Sequence, residues 1–223
     1  MPRPLVRKLV VEFIGTFFLV FTVCTATNPK HGAGVLAPLA IGSVLMVMVF
    51  AGGHISGGHY NPAVSTAVLI RARMLAKEWV AYVVAQLVAA VLAALVARGV
   101  NGAGTAVALG STWKILVLEF LFTFALGYVV LNVATARGVE GNSYYGLAIG
   151  FTVTAGAFAV GAISGGAFNP AVALGASVLG IFKWSNYWIY VVATLLGGAV
   201  AAVAFLATQP AEKPEGDIEA ART

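Results

Sequence analysis

The two halves of this chain repeat one another, with matching segments separated by about 108 residues. Residues 12–17 read EFIGTF and residues 119–124 read EFLFTF, while the segment LAIG occurs both at 39–42 and at 147–150. Internal repeats of this kind give two similarly folded halves. Any element predicted for one half is therefore predicted for the other as well.

Each half contains three long apolar stretches, and each stretch is long enough to cross a bilayer. A membrane-spanning helix needs about 20 consecutive apolar residues. The six candidate spans lie at about 6–26, 36–56, 79–97, 113–133, 146–162 and 187–207. The chain is 60% hydrophobic and only 9% charged, which excludes a soluble domain because too few polar residues remain to cover its surface.

The odd number of spans per half determines how the halves are related. The second half must enter the membrane upside down relative to the first, which makes the chain an inverted repeat. The sequence thus predicts an all-α membrane protein with one domain over residues 1–207, in which repeat 1 covers about 6–97 and repeat 2 about 113–207. Residues 208–223 are polar and are predicted to form a disordered tail.

Each half also contains a glycine-rich turn followed by a short apolar run. The segments ISGGHYNPAV at 55–64 and ISGGAFNPAV at 163–172 match at eight of ten positions. Asparagine is a preferred helix N-cap, and proline is favoured at the first helical position. The runs at about 61–70 and 169–180 are too short to span a bilayer, since about ten helical residues cover only about 15 Å. We predict two re-entrant half-helices whose N-termini meet near the midplane.

Two converging helix N-termini would create a polar point inside an apolar tube. Their free N–H groups and positive dipole ends repel cations, while the side chains of Asn61 and Asn169 can donate hydrogen bonds to a water molecule. Backbone carbonyls of the glycine-rich turns can accept the hydrogens of water. The candidate carbonyls belong to Gly57, Gly58, His59, Gly165 and Gly166.

The paired motifs, together with the Glu-x-x-x-Thr-Phe start of each half, resemble the aquaporin family of water channels over about residues 6–207. The resemblance implies six transmembrane helices plus two re-entrant half-helices, with a pore in each protomer of a homotetramer. It also implies passive flow of water and small neutral solutes, with protons and ions excluded at the pore centre. The two Asn-Pro-Ala motifs that form this centre are Asn61, Pro62, Ala63, Asn169, Pro170 and Ala171.

Water-selective members of that family share a constriction near the outer mouth, built from an aromatic residue, often a histidine, and an arginine directly after the second motif. Counted from the two motifs, the corresponding positions are Ile41, Ala157, Gly166 and Val172. All four residues are apolar and two are very small. The resemblance therefore implies a wide filter that also passes solutes such as glycerol, urea or ammonia, and a strictly water-selective aquaporin is the alternative.

Two acidic residues, Glu12 and Glu119, lie within the predicted spans at matching positions. An intramembrane carboxylate is by default a functional hypothesis, and the pair would be needed to relay protons in an ion-coupled secondary transporter. The family resemblance and the symmetry favour a second role, in which both residues accept hydrogen bonds from the re-entrant loops. Transport that depends on a proton or sodium gradient would favour the transporter.

His54 and His59 flank the first glycine pair, whereas the second half has Ala162 and Ala167 at those positions. We expect packing and hydrogen bonding for His54 and a pore-wall position for His59, with pH gating as an alternative. Unmatched histidines and a single cysteine, Cys24, do not form the ligand set of a metal site. No nucleophile with a base is apparent, so the sequence predicts no metal, no cofactor and no enzyme.

The net charge of +5 comes from basic residues that lie mostly on one side of the predicted membrane. One side carries Arg3, Arg7, Lys8, Arg71, Arg73, Lys77, Arg137, Lys213 and Arg222, and the other carries Lys30, Arg98, Lys114 and Lys183. The positive-inside rule therefore places both termini in the cytoplasm, and we expect a multi-pass protein of the cell inner (plasma) membrane. Orientation explains the charge, so nucleic-acid binding is not expected.

Overall fold

The structure, a computed structural model, describes residues 4–212, and all regular secondary structure in that range is helical. Eight α-helices follow one another along the described chain. They are Leu5–Ala26 (α1), Ala37–Ser56 (α2), Pro62–Ile70 (α3), Ala76–Asn101 (α4), Thr112–Thr135 (α5), Tyr145–Ser164 (α6), Pro170–Leu179 (α7) and Tyr187–Thr208 (α8). Short 3-10 turns occur at helix ends, for example at Gly34–Leu36 and Pro210–Glu212.

The helix lengths confirm the predicted architecture. Six helices are long and apolar enough to cross a membrane, and they coincide with the six predicted spans to within a few residues. The other two, α3 and α7, contain 9 and 10 residues and cover only about 15 Å each. The six transmembrane helices and two half-helices of the prediction are therefore present.

The two halves interlock through their half-helices. Within each half the first and third long helices pack together, α1 on α4 and α5 on α8, while α2 crosses α6 between the halves. Half-helix α3 packs mainly on α8 of the other half, and α7 packs mainly on α4. Neither half therefore holds its own re-entrant segment alone.

Glycines allow the closest helix crossings between the halves. A Cβ atom on Gly42 of α2 would lie 2.6 Å from the carbonyl oxygen of Gly150 in α6, and a Cβ atom on Gly198 of α8 would lie 2.4 Å from the carbonyl oxygen of Ala63. Both distances are shorter than a real Cβ contact, so only glycine fits, as is common where membrane helices approach closely. The second contact places α8 directly against the start of α3.

The backbone of the two re-entrant loops is nearly identical. Helices α2 and α6 end at Gly57 and Gly165 with φ values of 93° and 97°. Three residues later, Tyr60 and Phe168 have φ values of 49° and 48°, which is an uncommon conformation for residues with side chains. Matching strain in both halves supports the inverted repeat, and uncommon backbone conformations often mark functional segments.

One face of the bundle carries the start of α1, the loops after α3 and α5, and the end of the described chain; we call it the terminal face. Lys8 and Glu78 form an ion pair there, with 3.0 Å between Nζ and Oε1. The prediction of a disordered tail from residue 208 is wrong for residues 208–212. Helix α8 continues through Thr208, and Glu212 is buried against Arg71, while residues 213–223 lie outside the described range.

Candidate pore

Each Asn-Pro-Ala motif starts a half-helix in the same way. Asn61 is the N-cap of α3, and its Oδ1 accepts a hydrogen bond from the N–H of Ala63 at 2.8 Å. Asn169 caps α7 with an equal bond from the N–H of Ala171. The prolines occupy the first helical position, where the missing N–H has no cost. Capping leaves the Nδ2 groups of both asparagines free to point away from their own helices.

The two asparagines hold the opposite loops together. Nδ2 of Asn61 donates to the carbonyl oxygen of Phe168 at 2.9 Å, and Nδ2 of Asn169 donates to the carbonyl oxygen of Tyr60 at 2.9 Å. Each amide carries two hydrogens, so each asparagine retains one donor. Both residues line the same narrow cavity. The structure thus places two half-helix N-termini and two amide donors at one point.

Glu12 supports the first re-entrant loop from inside the bundle and is fully buried. Its carboxylate accepts hydrogen bonds from Ser56 Oγ at 2.7 Å and from the backbone N–H groups of His59 and Tyr60 at 2.9 and 2.7 Å. The side-chain amide of Gln86 donates to it as well, at 2.9 Å. All four groups are donors, so both oxygens of the carboxylate act as acceptors.

Glu119 supports the second loop at the equivalent position and is also fully buried. It accepts hydrogen bonds from Ser164 Oγ at 2.8 Å and from the N–H groups of Ala167 and Phe168 at 3.1 and 2.6 Å. The geometry of both glutamates fits the supporting role. A proton relay would need one of them to reach the narrow cavity, and neither lines it.

Three of the four predicted filter residues line the narrow cavity together with the asparagines. Ile41, Gly166 and Val172 face it. Ala157 is half-buried beside it, and its Cα atom lies 3.5 Å from the point where a Cβ atom on Gly166 would be. The remaining wall is mostly aliphatic. It is formed by Leu19, Val23, Leu45, Val64, Leu126, Val130, Ile149 and Val153.

The narrow cavity has room for about one or two water molecules. The volume open to the centres of water molecules is about 20 Å³, and about 10–15 Å³ of such space holds one water. The weak polarity of the filter stays a prediction. The cavity at the filter positions is small, because leucine and valine side chains line it beside them.

A wider vestibule adjoins the narrow cavity on each side. The vestibule on the terminal face has a volume of about 630 Å³ and includes Gly57, next to Gly58 and His59 of the narrow cavity. The opposite vestibule, of about 330 Å³, includes Gly165, next to Gly166. Of the five residues with predicted carbonyl roles, Gly58, His59 and Gly166 therefore line the narrow cavity, Gly57 lines the terminal vestibule and Gly165 lines the opposite one.

The two histidines of the first loop differ in environment. His59 is buried and lines the narrow cavity, as predicted, and its Nδ1 lies 3.0 Å from Ser65 Oγ. The expectation of packing for His54 is wrong, because its side chain is exposed and faces the terminal vestibule beside Arg73. Helix α2 turns this residue away from the bundle, since it lies two residues before the buried Ser56.

Two residues of the pore support were missed in the sequence. Gln86 bonds both Glu12 and Ser65 Oγ, the latter at 3.2 Å, and Ser65 in turn holds the ring of His59. The signal for Gln86 was present, because an amide in the middle of an otherwise apolar span must find a hydrogen-bond partner inside the protein. Ser65 gave no such signal within a short run of small residues.

Within residues 4–212, no group of three or more His, Cys, Asp or Glu side chains is close enough to hold a metal ion. Cys24, on α1, is buried in the core. The described residues therefore offer a path for small molecules and no ligand cluster beside it.

Comparisons with known proteins agree with this geometry. The model of the major intrinsic protein family matches residues 5–205. Aquaporin NIP1-1 of Oryza sativa subsp. japonica is 37% identical over 96% of this chain and 78% of its own length, and Aquaporin NIP1-2 of Arabidopsis thaliana is 35% identical over the same shares. In fold, the chain is similar to the aquaglyceroporin from Plasmodium falciparum, with a TM-score of 0.75, 22% identity, and coverage of 91% of this chain and 96% of that one. This chain belongs to the major intrinsic protein family and is a multi-pass membrane channel, not an enzyme.

Proposed function

We propose that this channel passes water and other small neutral solutes through a weakly polar filter, and that it excludes ions at the paired asparagines. One observation carries the proposal: the two asparagines and the apolar filter residues Ile41, Gly166 and Val172 line one cavity. The relatives named aquaporins and the fold likeness to an aquaglyceroporin support water and small neutral solutes as cargo.

The filter favours neutral solutes because its apolar walls supply few hydrogen-bonding groups, and an ion needs such groups more than a neutral solute does. Val172 lies directly after the second motif and contributes neither charge nor donors. A neutral solute such as glycerol or urea can lie against such a wall, whereas an ion would lose its hydration without replacement. The polar groups that rehydrate a passing solute are the free amide hydrogens at Asn61 and Asn169 and the loop carbonyls.

Ion exclusion follows from charge at the centre of the cavity. The N-termini of α3 and α7 both point at this centre, and each helix end is equivalent to roughly half a positive charge. Among the described residues that line the narrow cavity, none is a carboxylate that would offset that charge. Cations are therefore repelled where they are also least hydrated, which is a known way for a pore to pass water and reject protons.

The filter is tested by transport into reconstituted liposomes. Stopped-flow light scattering would follow shrinkage in an impermeant osmolyte and reswelling in glycerol or urea, beside protein-free vesicles. The parent protein is expected to show both. Val172→Arg is expected to slow glycerol and urea several-fold more than water, because it adds charge and bulk at the filter.

A matched variant separates polarity from bulk. Val172→Met adds length at the same position without charge or donors, so it should slow glycerol less than V172R does. Glycerol and urea fluxes that are unchanged in V172R would refute the proposed filter. A parent that passes water but no glycerol or urea would leave a strictly water-selective channel, and flux that follows a proton or sodium gradient would indicate a coupled transporter.

For orientation, we assign the terminal face to the cytoplasm and the chain to the cell inner (plasma) membrane, as a homotetramer. The support is the charge imbalance between the two faces and the family. Single cysteines introduced at Arg73 and at Lys30, labelled with an impermeant maleimide in intact cells, should react only at position 30. Chemical crosslinking in native membranes should stop at four copies.

A further inference from the structure

An ion pair on the terminal face lies outside the narrow cavity and is more buried than the other ion pairs found in residues 4–212. The side chains of Arg71 and Glu212 are only 2% and 7% exposed. The guanidinium of Arg71 donates to the backbone oxygen of Glu212 at 2.6 Å and to its Oε2 at 2.5 Å. A buried charge is tolerated only when it is paired, so the contact fixes where the turn at 210–212 lies.

Aromatic packing holds the same arginine from the other side. The guanidinium carbon of Arg71 lies 5.0 Å from the ring centre of Phe205 in α8, within the range of a cation–π contact. Burial lowers the pKa of Arg71, as does the nearby Arg73, and the carboxylate of Glu212 opposes both effects by favouring the charged form. Arg71 is thus clamped between α8 and the turn that follows it.

Glu212 joins a third segment to this pair. Its Oε1 accepts the backbone N–H of Arg137 at 2.5 Å, and the side chains of Arg73 and Arg137 lie 3.9 and 4.0 Å from its Oε2. Arg71 follows half-helix α3, and Arg137 begins the loop between α5 and α6. One carboxylate therefore connects the end of the re-entrant half-helix, that loop and the end of the described chain.

The connected loop forms a wall of the terminal vestibule. The end of α5 and this loop line one side of that space with residues 133–137 and 139–142, opposite Gly53, His54 and Gly57 at the end of α2. Asn142 donates hydrogen bonds to the carbonyl oxygens of Val133 and Val139, both at 2.8 Å. The bond to Val139 braces the loop internally, and the bond to Val133 ties it to the last turn of α5. The loop would therefore move as a unit hinged on α5 when its attachment to Glu212 is released.

We propose that Glu212 is a positioning residue for transport: with Arg71 and Arg137 it forms a latch that holds the loop at 136–144 away from α2 and so keeps the terminal vestibule open. An amide in place of the carboxylate has one acceptor oxygen instead of two, so the N–H of Arg137 and the guanidinium of Arg71 can no longer both bond the side chain of residue 212. Arg71 also loses its counter-charge. The loop then moves toward His54 and Gly57, which narrows the entrance to the narrow cavity. The inference rests on the proposed channel function.

The test uses the full-length protein carrying Glu212→Gln, which keeps the size of the side chain and removes its charge. Water permeability per folded protomer in liposomes is expected to fall several-fold, and amide hydrogen exchange is expected to become faster at residues 136–142 but not at 57–61. Glu78→Gln is the matched control. It removes the carboxylate of another ion pair on the same face, with Lys8, that does not line the vestibule, so its permeability should equal that of the parent.

The outcomes separate the latch from the channel itself. A parent without water permeability would contradict the proposed function. An active parent with an equally active E212Q would overturn the latch alone, whether or not the loop exchanges faster. A slower E212Q with unchanged exchange at 136–142 would also overturn it, because the loss would not come from the loop. If E212Q does not fold, Glu212→Asp decides by the same criteria, since it keeps the charge and withdraws the carboxylate by one methylene.

Discussion

The two re-entrant loops have the same backbone but different chemical support. In both loops a buried glutamate accepts hydrogen bonds from a serine and from two consecutive backbone N–H groups. The first loop has one more donor, the amide of Gln86, where the second half has Thr194 bonded to its own helix. The carboxylate, the serine and the strained backbone are therefore what the shared geometry requires, and Gln86 is an addition.

The two vestibules also differ in polarity, and the one beside the first loop is the more polar. The one on the terminal face is lined by charged and polar side chains, including His54, Arg73, Arg137 and Glu140. The opposite vestibule is lined by Val107, Leu109, Ile181, Phe182 and other mainly apolar residues. Both halves contribute to the narrow cavity and to each vestibule. The symmetry of the repeat is therefore kept at the centre of the molecule and lost at the two mouths.

The largest effect is expected from the second glutamate. Glu119→Gln places an NH₂ group, which cannot accept, against buried donors, and each stranded donor costs about 1–3 kcal/mol. Glu12→Gln should cost less, because the Oε1 atom of Gln86 has no partner among the described residues and can accept from the new amide. Thermal unfolding in detergent, followed by tryptophan fluorescence, should therefore show a lower midpoint for E119Q than for E12Q.

A second substitution checks that Gln86 causes this difference. In the background of Gln86→Met, which keeps the length of the side chain and removes its amide, E12Q should become as destabilising as E119Q. Equal midpoints for E12Q and E119Q in the otherwise unchanged protein would contradict the unequal support of the two loops.

Much of this arrangement follows from the sequence, because the repeat and the spans depend on local patterns. The half-helices, the capping asparagines and the buried glutamates all have signals in short segments that occur twice. The contact between Arg71 and Glu212 has no such signal, since it joins residues 141 positions apart, one in the first repeat and one after the end of the second. The exposure of His54 depends on the rotation of α2 against its neighbours, which an apolar span of nearly uniform hydropathy does not determine.

A smaller effect is expected where the half-helices end. Helix α7 ends at Gly180 with φ at 94°, whereas after α3 the residue with positive φ is Ala72, at 62°. A Cβ atom on Gly180 would meet nothing closer than 3.8 Å, so Gly180→Ala isolates the backbone strain and should cost about 1–2 kcal/mol. Ala72→Gly should instead leave stability unchanged or raise it by up to about 1 kcal/mol, as relief of strain is offset by a more flexible unfolded chain. Unfolding midpoints that fall equally in G180A and A72G would contradict this reading.

The smallest effect concerns Ser65, which has Ala173 as its counterpart in the second half. Ser65→Ala makes the first half resemble the second and removes the partner of His59 Nδ1, while Gln86 keeps its bond to Glu12. We expect a loss of about 0.5–1.5 kcal/mol, the net worth of an ordinary hydrogen bond. Water permeability should stay close to that of the parent, because the N–H of His59 remains bonded to Glu12 and holds the loop backbone in place.

Ser65→Thr is the matched control, since it keeps the hydroxyl group. Its unfolding midpoint should lie nearer to the parent than that of S65A, and a loss as large as that of S65A would show that packing at this position matters more than the bond to His59. A large fall in the water permeability of S65A, with its unfolding midpoint preserved, would show that the ring of His59 takes part in conduction. In that case the first loop would support transport through a side chain for which the second loop, with Ala167, has no equivalent.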